Sequence, residues 1–459
     1  MKKIIALLLA LVMVFGLVAC SSNNPSTQSP DPGTTSPASS APDSDDQNPS
    51  ATTGTVQGVT DTTIYVGNTA ATTGAFAAVG VPFNAGIEAA FYAYNEAGGF
   101  KGLKIELVHY DDGFDAQQGL TYTKTLVEDD KVFALVGHFG TNTVGATLDY
   151  LKSVGIPMMH AATGISELYQ EGATGKAACI FPVQPIYDAE GRVLLARAVA
   201  SVEGGYGLGG TKIGVIATTD DAGAGMLAGV KRQMQDIDVD VVVQEVDPSA
   251  TDYTAALSVL KNNGCDVVIG AMNQAPFQTV MTSMRDIEYN AKVITSYVSA
   301  SAVFLGGLVD NGCITANRPV YATSWLDVAT EQGYAEMMEF AQTQLAWEAA
   351  EGIPADQTYS VNSYAMAGYV AAQLFIHGLN QVEALGLDLT WENYIKATES
   401  APYHIPMGGD IDFANGDRLG VTALSLNTIS LEKNAETGIY DLQTSSPIMS
   451  LDDVMAHVK

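Results

Sequence analysis

Apolar positions along this chain fall into short unbroken runs that alternate with stripes at helical spacing. The stretch 131–164, KVFALVGHFGTNTVGATLDYLKSVGIPMMHAATG, shows the pattern most clearly. Residues 132–136 are almost wholly apolar, as a strand covered on both faces of a parallel sheet has to be. Over 143–153, Val144, Leu148 and Leu151 share one side of a predicted helix, and Gly155 supplies its stop. Residues 156–160 read as the next strand. A strand–helix–strand unit of this length crosses over right-handed, so the loops after both strands emerge at the carboxyl edge of the sheet. Open α/β sheets bind ligands at that edge.

The alternation extends both ways. Strands are predicted at 63–67 and 103–110, with helices at 83–96 and 116–128. Ile87, Phe91 and Tyr94 lie on the buried face of the first helix. A second series starts near Lys212, with strands at 213–217, 239–245, 267–271 and 293–297 and helices at 225–235, 253–262 and 277–287. The last third is more mixed: helices at 334–348, 364–379 and 391–397, then strand-like stretches at 410–415 and 424–432. The fold class is therefore α/β, in two doubly wound parallel-sheet lobes whose loop edges invite a cleft between them. Two loops already carry small polar groups, Thr141, Asn142 and Thr143 in one and Thr163 in the other. The first runs into a helix N-terminus, whose free N–H groups suit a carboxylate. Thr141 or Asn142 would equally serve as a plain helix cap.

Composition adds location. Lys2 and Lys3 precede a fifteen-residue apolar run, 4–18, shorter than the roughly 20 residues needed to span a bilayer. Leu17-Val18-Ala19-Cys20 matches the bacterial lipobox, which marks Cys20 as the lipid attachment point after a signal peptide at 1–20. No second span is read further along. Residues 21–58 are rich in Ser, Thr, Pro, Asp and Asn and read as a disordered tether. Without Lys2 and Lys3 there are 19 basic against 51 acidic residues, a net of −32. So acidic a body argues against nucleic acid and anionic lipid as partners, leaving contact with the membrane to the lipid alone. About 400 further residues imply two domains. Cys179, Cys265 and Cys313 give neither a disulfide framework nor a zinc pattern; they read as buried thiols, with a bridge between Cys265 and Cys313 left open.

The stretches IYVGNTAATTGAFAAVG (64–80), GIEAAFYAYNEAGGFKGLKIELVHYDD (86–112), 131–164 continuing through GISELY, Asp220-Asp221 and YAMAGYVAAQLFIHGL together resemble the solute-binding proteins of ABC transporters in the branched-chain amino acid (Leu/Ile/Val-binding) family, of the type I periplasmic binding protein fold. The resemblance covers the body from about residue 60 onward. It implies two lobes joined by three crossings, 59–182 plus 322–400 and 183–321 plus 401–459, closing on a solute. It implies an exported monomer, anchored by lipid outside the cytoplasmic membrane, that delivers a small solute to permease subunits and needs no cofactor or metal.

By the same resemblance Thr141 and Thr163 hold the solute's carboxylate, and the carbonyl of Ala161, beside Ala162, meets its ammonium. The family's paired cysteines fall at Phe114 and Gly140, so that disulfide is absent. A second-lobe aromatic falls at Ala222, another near Asn273, and the acidic partner of the ammonium near Tyr297, with Asp220 or Asp221 close enough to compensate. The expected solute is an amino acid or related compound, its apolar part among Phe76, Val79, Phe139 and Tyr297 rather than plainly leucine, isoleucine or valine.

Other chemistry fits less well. No G-x-S-x-G elbow, H-E-x-x-H or Walker loop occurs. His138 and His160 stand at the two loops and could serve as acid–base groups or metal ligands, but without a carboxylate beside them in sequence they read as packing groups or as one hydrogen bond to the ligand. Gly205, Gly207, Gly209 and Gly210 precede a strand instead of following one, so the dinucleotide context fails. Asp410, Asp412 and Gly416 are out of register for a calcium loop. A sensory module of the same fold would need a following span or signalling domain, which the sequence to Lys459 does not show.

Overall fold

Residues 56–435 and 438–458 are described by the computed structural model. The expected signal peptide, its Cys20 and the expected tether as far as residue 55 lie outside the described residues.

Two sheets organise the chain. The first has order β2-β1-β3-β4-β5 and is parallel throughout: β1 Thr63–Ala70, β2 Lys104–Asp111, β3 Ala134–Val136, β4 Met158–Met159 and β5 Ile180–Phe181. The second has order β14-β13-β10-β9-β8-β6-β7. Its parallel part comprises β6 Lys212–Thr218, β7 Asp240–Val246, β8 Val267–Ala271, β9 Lys292–Thr295 and β10 Val320–Ser324. The antiparallel hairpin β13 Leu424–Lys433 and β14 Tyr440–Met449 completes it, and β11 Tyr403–His404 and β12 Asp410–Ile411 form a separate antiparallel pair. Strands with helices on both faces have no polar side; β8, VVIGA, is buried at every residue.

The chain passes between the lobes three times, at 182–186, 325–330 and 419–423. This places the lobe boundaries differently from the sequence expectation. β10 belongs to the second sheet as far as Ser324. Residues 403–418 pack on the first lobe rather than the second: Tyr403 Oη donates to the Val370 carbonyl at 3.2 Å, and the Arg418 guanidinium lies 4.1 Å over Phe181 and donates to the Ala178 carbonyl at 2.8 Å.

Caps explain where several elements begin. Asp115 accepts from Gln118 N at 2.8 Å, so helix Ala116–Glu128 has the predicted bounds. Asp220 caps Gly223 N at 3.0 Å and starts helix Asp221–Gln233 four residues before the predicted 225, through the Ala-Gly-Ala-Gly run. Helix Ala77–Glu96 starts six residues before the predicted 83 and runs through Pro82, losing one intrahelical bond. The segment Gly74–Glu96 also has the length and hydropathy of a membrane span, yet half of it is buried against the rest of the lobe. It crosses helix Ser363–Ala384 in backbone contact: a Cβ on Gly86 would sit 1.9 Å from the Ala365 carbonyl oxygen, and one on Gly368 1.8 Å from that of Phe83. Several elements have no counterpart in the sequence reading, among them helices Tyr187–Val199, Ala302–Asp310 and Leu451–Met455 and strands β5, β10 and β14.

Candidate functional site

In each sheet the strand order reverses once, between β1 and β3 in the first and between β6 and β8 in the second. Loops diverge at such a point and leave a crevice beyond the carboxyl ends of the strands. One cavity joins the two crevices. Its volume, counted as space open to the centre of a water molecule, is about 90 Å³, where one water needs about 10–15 Å³. Residues after β1 (Phe76, Val79) and after β3 (Phe139, Gly140, Thr141) form one wall. Asn273 and Gln274 after β8, and Tyr297, Val298 and Ala300 after β9, form the opposite wall. Crossing residues Gln184, Trp325 and Leu326 floor it, and Ser363 and Tyr364 enter from the start of helix Ser363–Ala384.

The first-lobe wall is built around aromatic rings. Phe114 lines it from the turn after β2, held in a left-handed conformation (φ 68°) by its N–H donating to the buried Asp112 carboxylate at 2.8 Å. Its ring stacks on Phe76, centroids 4.0 Å apart. It also covers Gly140, where a Cβ would lie 3.0 Å from the ring. Positions 114 and 140, which the family resemblance pairs as cysteines, therefore meet here as a ring on a glycine.

Thr141 is the first residue of helix Thr141–Val154. Its hydroxyl lies 3.1 Å from that of Thr163 and 3.4 Å from Tyr187 Oη. Thr143 points elsewhere, donating to Asp112 at 2.8 Å.

The second-lobe wall rests on a buried carboxyl. Glu190 is fully buried and accepts from Tyr297 N at 2.9 Å, Ser296 Oγ at 2.7 Å and Thr323 Oγ1 at 2.5 Å. Burial pushes this carboxyl up to about 7, against the lowering effect of the three hydrogen bonds. It fixes the one-turn helix Tyr297–Ser299, where the sequence predicted strand through Tyr297. Tyr297 Oη donates to the Pro185 carbonyl at 2.9 Å and receives Gln184 Nε2 at 3.1 Å. Bonds also cross the cleft. Tyr364 Oη donates to the Val298 carbonyl at 3.0 Å and accepts from Gln274 Nε2; Ser363 Oγ donates to the Ala300 carbonyl at 2.9 Å.

Seven residues proposed from sequence line the cavity: Phe76, Val79, Phe139, Thr141, Ala162, Asn273 and Tyr297. Four do not. Asn142 is exposed, on the outer side of its helix. Thr163 is buried one layer behind Thr141. Ala161 is buried too, and its carbonyl accepts the Thr163 N–H at 2.9 Å. Asp221 is exposed at a helix start, one carboxylate oxygen 3.8 Å from where a Cβ on Gly145 would stand. Asp220 spends its carboxylate on Thr218 and Gly223. Phe114, Gln184, Tyr187, Trp325, Leu326 and Tyr364 line the cavity without having been read. Trp325 and Leu326 carried a signal, an apolar pair separated by Thr323-Ser324 from the apolar run 320–322, but which face they take depends on the lobe crossing.

His138 and His160 are fully buried, and burial pushes both down to about 3, so they are neutral. His138 is bonded to Thr147 Oγ1 at 3.1 Å within the lobe; His160 stands behind Phe83 and Trp325. Neither lines the cavity. None of the described lining residues is Asp, Glu, Lys, Arg or His. Cys179, Cys265 and Cys313 are buried free thiols, so the bridge left open between the last two is not formed.

Comparison with known proteins agrees with this geometry. Residues 63–434 match the family model described as periplasmic binding protein. An amino acid binding protein of Pseudomonas aeruginosa is 26% identical over 206 residues, 45% of this chain and 52% of that protein, so the chain spans about half of that relative's length. The Leu/Ile/Val-binding protein homolog 2 of Brucella abortus is 23% identical over 384 residues, 82% of this chain and 92% of that one. Among solved structures, a fatty acid ABC transporter substrate-binding protein from Thermomonospora curvata superposes with a TM-score of 0.71 at 18% identity, covering 88% of this chain and 97% of that chain, a likeness of fold. With two switch-point sheets, three crossings and a cavity between the lobes, the chain belongs to the periplasmic binding protein family.

Proposed function

We propose that this protein is the exported solute receptor of an ABC importer, taking a small organic solute, an amino acid or related compound, into the cleft between its lobes. The observation that carries this is a cavity bounded by switch-point loops of both sheets and spanned by the bonds of Ser363 and Tyr364. A solute that touches both walls favours the closed arrangement by its differential affinity for it. The relatives are named for binding, and the neutral buried histidines supply no acid–base group to the cavity. Solute recognition without turnover is the reading these names support.

The aromatic wall takes the apolar part of the solute, and Thr141 with Asn273 and the amides of Gln184 and Gln274 its polar part. Thr163 supports Thr141 from behind. The receptor acts as a monomer, handing its solute to permease subunits, and is held outside the membrane by lipid on Cys20.

Two experiments test this. Mass spectrometry of the small molecules that co-purify, followed by scattering with and without them, should show a fall in the radius of gyration; an unchanged radius at saturation sinks cleft closure. Cys20→Ala should appear in the medium or remain as uncleaved precursor. A Cys20→Ala protein that is processed and still membrane-bound refutes the anchor.

A further inference from the structure

Two amides that line the cleft are pinned by tyrosines, and the pinning leaves their oxygens free. A tyrosine hydroxyl has one hydrogen to give. Tyr297 Oη gives it to the Pro185 carbonyl at 2.9 Å, and Tyr364 Oη gives it to the Val298 carbonyl at 3.0 Å. A carbonyl cannot donate in return, so a further partner of either hydroxyl has to donate to it. Those partners are Gln184 Nε2, 3.1 Å from Tyr297 Oη, and Gln274 Nε2 on Tyr364 Oη. Two relays of one form, amide to phenol to backbone carbonyl, thus fix which end of each amide is the nitrogen.

Gln184 and Gln274 are only 6% and 7% exposed, and both line the cavity. Neither Oε1 has a hydrogen-bond partner, and neither is sealed in, as the unpartnered Asn273 Nδ2 is. Each oxygen therefore keeps open surface in a residue otherwise buried at the cavity. The hydroxyl hydrogens around them are committed elsewhere. Ser363 Oγ donates to the Ala300 carbonyl at 2.9 Å and Ser324 Oγ to that of Leu326 at 3.2 Å. None of the described lining side chains is acidic, so these neutral oxygens are what this side of the cleft holds out to a donor. Thr141 on the opposite wall and the indole N–H of Trp325 on the floor remain for the solute's own acceptor. A hydroxyl could meet only one of the two oxygens; an ammonium or a primary amide has hydrogens for both.

We infer that Gln184 and Gln274 select the solute by accepting hydrogen bonds from an N–H-bearing head group, an ammonium or a primary amide, through their free oxygens. Tyr297 and Tyr364 are positioning residues that keep the two amides from turning over. This inference rests on the solute-binding reading and can fail separately from it.

The test is calorimetry on the whole exported chain with two matched series: phenylalanine, 3-phenylpropanamide and methyl 3-phenylpropanoate, then leucine, 4-methylpentanamide and methyl 4-methylpentanoate. The esters are uncharged and carry no N–H, while the amino acids and amides separate the two sources of the donor. In at least one series a nitrogen-bearing member should bind at least about tenfold tighter than its ester, a difference of about 1.4 kcal/mol. Gln274→Met keeps the length and loses the amide. It should weaken that binding about 3- to 10-fold for an amide and about 10- to 100-fold for an ammonium, and leave the ester within about twofold. Tyr297→Phe lets the Gln184 amide turn over and should narrow the gap between the nitrogen-bearing compound and the ester, whereas a merely structural loss weakens both alike. An ester bound as tightly as its nitrogen-bearing partners, or a ratio that neither variant moves, overturns the inference and leaves solute binding standing. No binding in either series overturns it as well, while binding of co-purified molecules then judges the broader reading.

Discussion

Glu190 offers a quantitative check on how the second-lobe wall is held. Its carboxyl, ordinarily near 4.5, is pushed up to about 7 by complete burial. Below 4.5 the folded and unfolded chains both carry the proton, and this group is indifferent to folding. Between 4.5 and 7 the folded chain keeps a proton that the unfolded chain has lost, so stability falls as pH rises. Above 7 the whole cost is in place. At about 1.4 kcal/mol per pH unit the rise corresponds to about 3 kcal/mol. Glu190→Gln removes the titration while its carbonyl can still accept from Tyr297 N and Thr323, and Ser296 can turn to accept from the new amide. Unfolding in urea from pH 4 to 8, wild type beside variant, should show the variant gaining about 3 kcal/mol relative to wild type across that range. Parallel pH curves would refute the claim that this buried carboxyl is uncompensated by any cation.

Further outcomes follow from packing and from the cleft. Gly86→Ala pushes a methyl to 1.9 Å from a backbone oxygen that no rotamer can move, so it should destabilise by about 1–3 kcal/mol in thermal unfolding despite its better helix propensity. The same change at Gly307, with nothing within 4 Å inside helix Ala302–Asp310, should stabilise by about 1 kcal/mol. Phe114→Ala, which strips the ring from Phe76 and uncovers Gly140, should cost about 1–2 kcal/mol and weaken solute binding in calorimetry. Tyr364→Phe loses the hydroxyl bonds to Val298 and Gln274 and should expand the unliganded protein in scattering, with about 1 kcal/mol lost per bond.

Much of the fold was legible because most elements obey their own local signals. Val267–Ala271 and Ala116–Glu128 carry an unbroken apolar run and an Asp cap, and form with the predicted bounds. Helix Tyr187–Val199 was hidden by what it buries: Asp188, Glu190 and Arg197 break its apolar stripe. Arg197 spends its guanidinium on the carbonyls of Tyr206, Leu424 and Pro447 and on Ser446 Oγ, partners up to 250 positions away. The site divided in the same way. Phe76, Thr141 and Asn273 lie just past strand ends, where chain direction alone brings them to the sheet edge. Gln184, Trp325 and Tyr364 arrive through crossings and a late helix, and no local pattern says which lobe face they take. Asn142 and Asp221 were drawn in by polarity, but each stands on the outward side of a first helical turn.

The ring of Phe114 on Gly140 has a consequence for manufacture. A rim fastened by stacking needs no oxidant to close and cannot be undone by a reductant. Cys179, Cys265 and Cys313 are buried away from both, and burial raises the thiols of Cys179 and Cys265, leaving little reactive thiolate. The body from residue 56 onward should therefore reach the same fold and the same melting temperature with or without dithiothreitol. Its cleft is built to be indifferent to whether the world outside the cell is aerobic.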